Sequence, residues 1–138
     1  MKLINDFFEI VEEQGAGSLV EEQGARSKEQ GLSLDDFSVQ VKLNADHYIY
    51  RAHFPNNPIT PGVCLVQMAA EILELRLGKQ LQLNTAVNIK FRKPVAPTDC
   101  PTFLFRKMSI ADDKLSVSIS VEYDDAQLVR MSLVYDIC

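Results

Sequence analysis

His53 opens a ten-residue run, His53-Phe54-Pro55-Asn56-Asn57-Pro58-Ile59-Thr60-Pro61-Gly62, that leads into an apolar stretch from Val63 to Ala70. Three prolines within seven residues fix φ and remove three backbone donors, so the run is a stiff loop that holds its contents in place. Thr60 as cap, Pro61 at the first helical position and Gly78 at the exit predict a helix of about 16 residues, roughly 24 Å long. A helix N-terminus carries unpaired amide hydrogens and the positive end of the dipole, and Gly62 lets a ligand approach that backbone closely. This is oxyanion-hole chemistry, suited to a carbonyl or thioester oxygen. His53, at the other end of the loop, is the candidate base. Gln67 is the polar exception in the first two helical turns. Glu71 follows one turn later on the same face, about 6 Å away between Cβ atoms.

The three cysteines, Cys64, Cys100 and Cys138, are odd in number and widely spaced, without a CxxC or a histidine at ligand spacing. Neither a disulfide framework nor a structural metal site is expected. Cys64, in apolar surroundings, reads as a small buried hydrophobe.

The elements that must position these groups follow from periodicity. Leu3, Ile4, Phe7, Phe8 and Val11 recur at helical spacing, which predicts an amphipathic helix over 1–13. Residues 14–33 nearly repeat EEQGA and hold four of the six glycines if Gly31 is included, the composition of a flexible loop. From Phe37 the period becomes two. Phe37 to Leu43, Tyr48 to Ala52, Val87 to Phe91, 102–110, Leu115 to Val121 and Val129 to Ile137 read as about six antiparallel strands, with hairpin turns at Asp112-Asp113 and Asp124-Asp125. The first turns of the helix are apolar all round, so it is expected to be buried on every side. A curved antiparallel sheet wrapped around one long central helix is the economical α+β architecture.

With 138 residues the chain is one domain, 1–138, its core spanning 34–137. A formal net charge of −5 without a basic cluster argues against nucleic acid as a partner. The longest uncharged stretch, Ala52 to Ala70, contains three prolines and is no membrane span, and the N-terminus lacks a signal-peptide pattern. A cytoplasmic protein without membrane association is expected.

HFPNNPITPGVCLVQMAAEIL, residues 53–73, resembles the signature HFPxxPxxPGVLxxEAMAQ of the 3-hydroxyacyl-acyl-carrier-protein dehydratases of fatty-acid synthesis. FRKPVAPTD at 91–99 is similar to that family's FRRPVxPGD, and the resemblance covers roughly 34–137. It implies the hotdog fold and a dimer or higher even oligomer whose active sites draw on both subunits. It implies dehydration of (3R)-3-hydroxyacyl thioesters of acyl carrier protein to trans-2-enoyl thioesters, with no cofactor. By the resemblance, His53 takes the C2 proton and the Gly62 amide holds the thioester carbonyl, while Phe54, Pro61 and Val63 bind substrate. The family's acidic residue falls at Gln67, and Glu71 stands where the motif has glutamine, so the two residue types are exchanged along one helical stripe. A glutamine amide orients a hydroxyl but has no proton to deliver at neutral pH.

Two alternatives follow from that exchange. The chain is then an acyl-binding or heterodimer subunit completed by an active homologue, or an acyl thioesterase of the same fold with Glu71 as the activating carboxylate. Arg92, Lys93, Arg106 and Lys107 are candidates for a small basic area that steers an acidic carrier protein or a CoA thioester.

Overall fold

The computed structural model describes residues 2–15 and 32–138. Its elements are β1 (Phe8–Gly15), β2 (Leu32–Ser33), β3 (Phe37–Leu43), α1 (Tyr48–Ala52), α2 (Gly62–Leu77), β4 (Leu81–Phe91), β5 (Thr102–Ala111), β6 (Lys114–Tyr123) and β7 (Ala126–Ile137). The strands form one antiparallel sheet in the order β1-β3-β5-β6-β7-β4, with β2 paired to the far end of β5. Seven strands stand where six were expected, because residues 8–15 and the short β2 add to the sheet while one expected strand is helical.

Alternation does what the sequence pattern demands. Val39 and Val41 on β3, Phe103 and Phe105 on β5, Val117 and Ile119 on β6, and Met131 and Leu133 on β7 are buried in one core with Leu65, Met68, Ala69, Ile72 and Leu73 of α2. Bulges within β1, β4 and β5 add local twist and bend to the sheet that holds this helix. The β5–β6 and β6–β7 hairpins turn at Asp112-Asp113 and Asp124-Asp125, all four at φ between 54° and 61°. Positive φ at both central residues is the turn whose twist matches paired strands.

Three local expectations are corrected. The helix expected over 1–13 is not what the described residues 2–13 form: Leu3 O accepts from Asp6 N and Phe7 N in a tight turn, and the chain then runs out as β1 against β3. The turn gives Leu3 and Phe7 their common burial, while β3 offers β1 a full ladder of backbone partners that an isolated helix would leave open. Tyr48–Ala52 is the one-turn helix α1, not a strand. Ile49 N donates to Nδ1 of the capping His47, and five residues are too few for periodicity to separate the two forms. The expected loop over 14–33 lies outside the described residues except at its ends, which belong to β1 and β2.

The long helix runs over Gly62–Leu77, with Pro61 as N-cap and no side-chain cap; Gly78 closes it at φ 66° by donating to Glu74 O. Thr60 does not cap it, because its Oγ1 is taken by the Tyr50 hydroxyl. Nor is the helix buried on every side: Val63 is 69% exposed although Cys64, Leu65 and Met68 behind it are buried. Among the described residues no helix is long and apolar enough to cross a membrane.

Candidate active site

The proline-rich loop is closed at several points. Ile59 N donates to His53 O, Asn57 N to Phe54 O, and Thr60 N to Val95 O. The Tyr50 hydroxyl and Thr60 Oγ1, both buried, lie 2.8 Å apart and tie α1 to the residues before α2. His53 sits at the C-terminal end of α1, its ring stacked on Phe54 at 4.3 Å between centroids.

His53, Thr60 and Gly62 line one cavity of about 340 Å³, walled by Leu65, Phe91 and Val129 and edged by Arg92 and Lys93. The histidine and the start of α2 therefore face one space, and a carbonyl held at the helix N-terminus would lie within it. Nδ1 of His53 is buried and finds no hydrogen-bond partner among the described residues. Leaving a buried polar atom unpaired costs about 1–3 kcal/mol. Burial pushes the Cys64 thiol up from its ordinary value, so it stays protonated and is packing rather than a nucleophile.

Gly62 makes a close contact that the sequence did not reveal. A Cβ placed there would stand 2.6 Å from Cζ of Phe91, so the aromatic ring lies directly against the first residue of α2. The clue was available in one respect: Phe91 opens the FRKPV string. Nothing in the spacing linked position 91 to position 62.

Of the remaining candidates, only Arg92 and Lys93 line this cavity. Gln67 and Glu71 are not among the residues lining the His53 cavity. Gln67 Nε2 donates to Glu71 Oε2 at 2.8 Å, and the Glu71 carboxylate, 1% exposed, also accepts from the backbone amides of Leu3 and Ile4. Phe54 and Val63 are 50% and 69% exposed beside the cavity rather than within it, and Pro61 is half-buried at the helix cap. Arg92 and Lys93 are on the cavity's edge, whereas Arg106 and Lys107 belong to the bulge of β5.

Comparison with known proteins agrees with this architecture. Over 67 residues, the chain is 40% identical to the 3-hydroxyacyl-[acyl-carrier-protein] dehydratase FabZ of Bartonella bacilliformis, covering 43% of this chain and 42% of that protein. It is 37% identical over 67 residues to the corresponding protein of Brucella ovis, again with 43% of this chain and 41% of that protein covered. The chain thus matches less than half the length of these curated relatives. Among solved structures, the dehydratase heterocomplex ApeI:P from Xenorhabdus doucetiae superposes with a TM-score of 0.58 at 16% identity, covering 92% of this chain and 96% of that one. A hypothetical thioesterase with coenzyme A from Streptococcus pneumoniae gives 0.55 at 11% identity, covering 97% and 90%. These likenesses show the fold, which is the hotdog fold. The family model described as ApeI-like, ApeI dehydratase, matches residues 27–130, and the chain belongs to the ApeI-like dehydratase family.

Proposed function

We propose that this chain dehydrates (3R)-3-hydroxyacyl thioesters of acyl carrier protein to trans-2-enoyl thioesters, in fatty-acid or related lipid biosynthesis. The observation that carries this reading is the shared cavity of His53 and Gly62. The Gly62 amide at the start of α2 receives the thioester oxygen, which acidifies C2. His53 takes the C2 proton, the C2–H electron pair forms the double bond, and the C3–O bond breaks. Gln67 hydrogen-bonds the departing oxygen without supplying a proton. The balance closes when the His53 imidazolium gives its proton to that oxygen, releasing water.

The working unit is proposed to be a dimer. Gln67 does not line the His53 cavity of its own chain, so a second chain has to bring the two together. The edge strand β4 is exposed along most of its length, with Leu83, Val87 and Phe91 43%, 65% and 56% accessible. An unpaired apolar edge of this kind invites another strand. The second chain is a copy of this one or a homologue; the likeness to the ApeI:P heterocomplex supports keeping the homologue in the test. Thioester hydrolysis is less well supported, because three N–H donors already occupy the Glu71 carboxylate.

The test is the rise in ultraviolet absorbance as a (3R)-3-hydroxyacyl carrier protein becomes the conjugated enoyl thioester. It is run on the chain alone and mixed with a homologous dehydratase, with molecular mass measured in parallel. Turnover that falls by at least about a hundredfold in His53→Ala supports the reading. Undetectable turnover in both preparations, or a rate indifferent to His53→Ala, overturns it.

A further inference from the structure

His53 and Phe54 hold their rings face to face, with centroids 4.3 Å apart and planes inclined by 24°. The main chain beneath both rings is tied down: His53 O accepts from Ile59 N at 3.1 Å, and Phe54 O accepts from Asn57 N at 3.2 Å. The imidazole is held less firmly by hydrogen bonds. The terminal torsion of a histidine is broad and nearly two-fold, and a hydrogen bond at one ring nitrogen ordinarily fixes the tautomer and orientation of the ring. Nδ1 of His53 is buried without such a partner among the described residues, so the face of Phe54 is the flat contact available to set the imidazole plane.

Phe54 itself stands outside the reacting space. It is 50% exposed beside the cavity, whose walls are Leu65, Phe91 and Val129. The proton that His53 takes from C2 turns its ring into an imidazolium. The charged side chains on the same cavity, Arg92 and Lys93, are cations and oppose that charge, whereas the negative face of an aromatic ring attracts it. Resting on the reading of His53 as the base of a dehydratase, we propose that Phe54 is a positioning residue: its ring fixes the plane in which the imidazole meets C2 and stabilises the imidazolium that forms. It acts on the reaction only through His53, which departs from the substrate-binding role that the motif implies for this position.

The experiment compares Phe54→Leu and Phe54→Tyr in the full chain, or in the heterodimer if that is the active form, reading kcat, KM and melting temperature with a (3R)-3-hydroxyacyl carrier protein. Phe54→Leu keeps apolar bulk but removes the ring face. It should lower kcat roughly tenfold while KM changes by less than about threefold, as expected for a contact that counts in the transition state rather than in binding. Phe54→Tyr keeps the face, with its hydroxyl free to reach water from a half-exposed position, and should hold kcat within about threefold of the parent. If Phe54→Leu does not fold, Phe54→Met replaces it, since it also fills the space without a ring. A raised KM with kcat retained would show that Phe54 touches substrate and overturns the positioning role. So does an undiminished kcat in Phe54→Leu, or an equal loss of kcat in Phe54→Leu and Phe54→Tyr. Each of these results leaves the dehydratase reading standing. Absence of turnover in the parent protein, alone and with the homologue, overturns the dehydratase reading and this role with it.

Discussion

The Tyr50 hydroxyl bonds Thr60 Oγ1 at 2.8 Å, with both residues buried, and this bond joins the two ends of the loop that carries His53. Tyr50→Phe should destabilise the protein by about 1–2 kcal/mol, because it leaves the Thr60 hydroxyl enclosed without that partner. Adding Thr60→Val should recover part of the loss, since removing both partners costs less than orphaning one. Urea denaturation of the two variants and the double variant reads this directly. A double variant as unstable as the sum of the singles would mean that the bond contributes little.

Alkaline pH should weaken the fold through the same residue. Burial pushes the Tyr50 hydroxyl from 10.0 up to about 12, and burial with the nearby Glu74 charge also raises Tyr135. A folded-state value above the unfolded one favours the protonated form. The stabilisation is therefore complete below about pH 10 and is lost as pH rises through the folded value. Urea midpoints measured at about pH 8 and about pH 11 should show a marked fall, and a smaller one in Tyr50→Phe. Equal falls in both proteins would place the alkaline sensitivity elsewhere.

Gly62→Ala sets a methyl group 2.6 Å from Cζ and 2.9 Å from Cε1 of Phe91. The ring is the far end of a half-exposed side chain on an edge strand and can swing aside, so folding should be little affected. The methyl and the displaced ring nevertheless intrude on the cavity of His53, and kcat/KM should fall about tenfold or more. Phe91→Ala in the Gly62→Ala background should restore much of it. Failure to restore would show that the glycine is needed for the approach of substrate rather than for room beside Phe91.

The core was legible because alternation at Val39, Val117 and Met131 reports burial on one face, and the long helix because prolines and Gly78 mark its ends in covalent terms. Other features depend on partners that the pattern does not name. Leu3, Ile4, Phe7, Phe8 and Val11 keep helical spacing, yet a single turn followed by a strand satisfies it almost as well, and the open edge of β3 decides between them. Glu71 was legible as a carboxylate one helical turn beyond Gln67. Its burial was not, because Leu3 and Ile4 hold it with main-chain amides, and any residue type other than proline supplies those. Val63 was expected in the core and is exposed, since a run that is apolar all round does not report which side of the helix the sheet covers.

Gln67→Glu is the most informative substitution, and the Gln67–Glu71 bond changes what to expect of it. From the motif alone, restoring the acid should raise turnover at least about tenfold. The new carboxyl, however, would face Glu71 where the amide now donates at 2.8 Å. Two carboxylates so close cannot both ionise at ordinary cost, so the pair would hold one proton well above the usual carboxylate range. A retained proton is what the leaving hydroxyl lacks, so the gain should appear at neutral pH and fade as the pair finally ionises in alkali. Stability follows the same sign: the raised folded-state value protects the variant at low pH, and the advantage is lost as pH rises through it. Relative to the parent, the variant's melting temperature should therefore fall between about pH 5 and about pH 8. Gln67→Glu with Glu71→Gln removes the repulsion but deprives the Leu3 and Ile4 amides of their charged acceptor, so it should lose the pH dependence and still melt below the parent. Profiles of kcat and melting temperature against pH for the three proteins separate these effects. A Gln67→Glu variant no faster than the parent at any pH would mean that the missing acid does not limit the reaction.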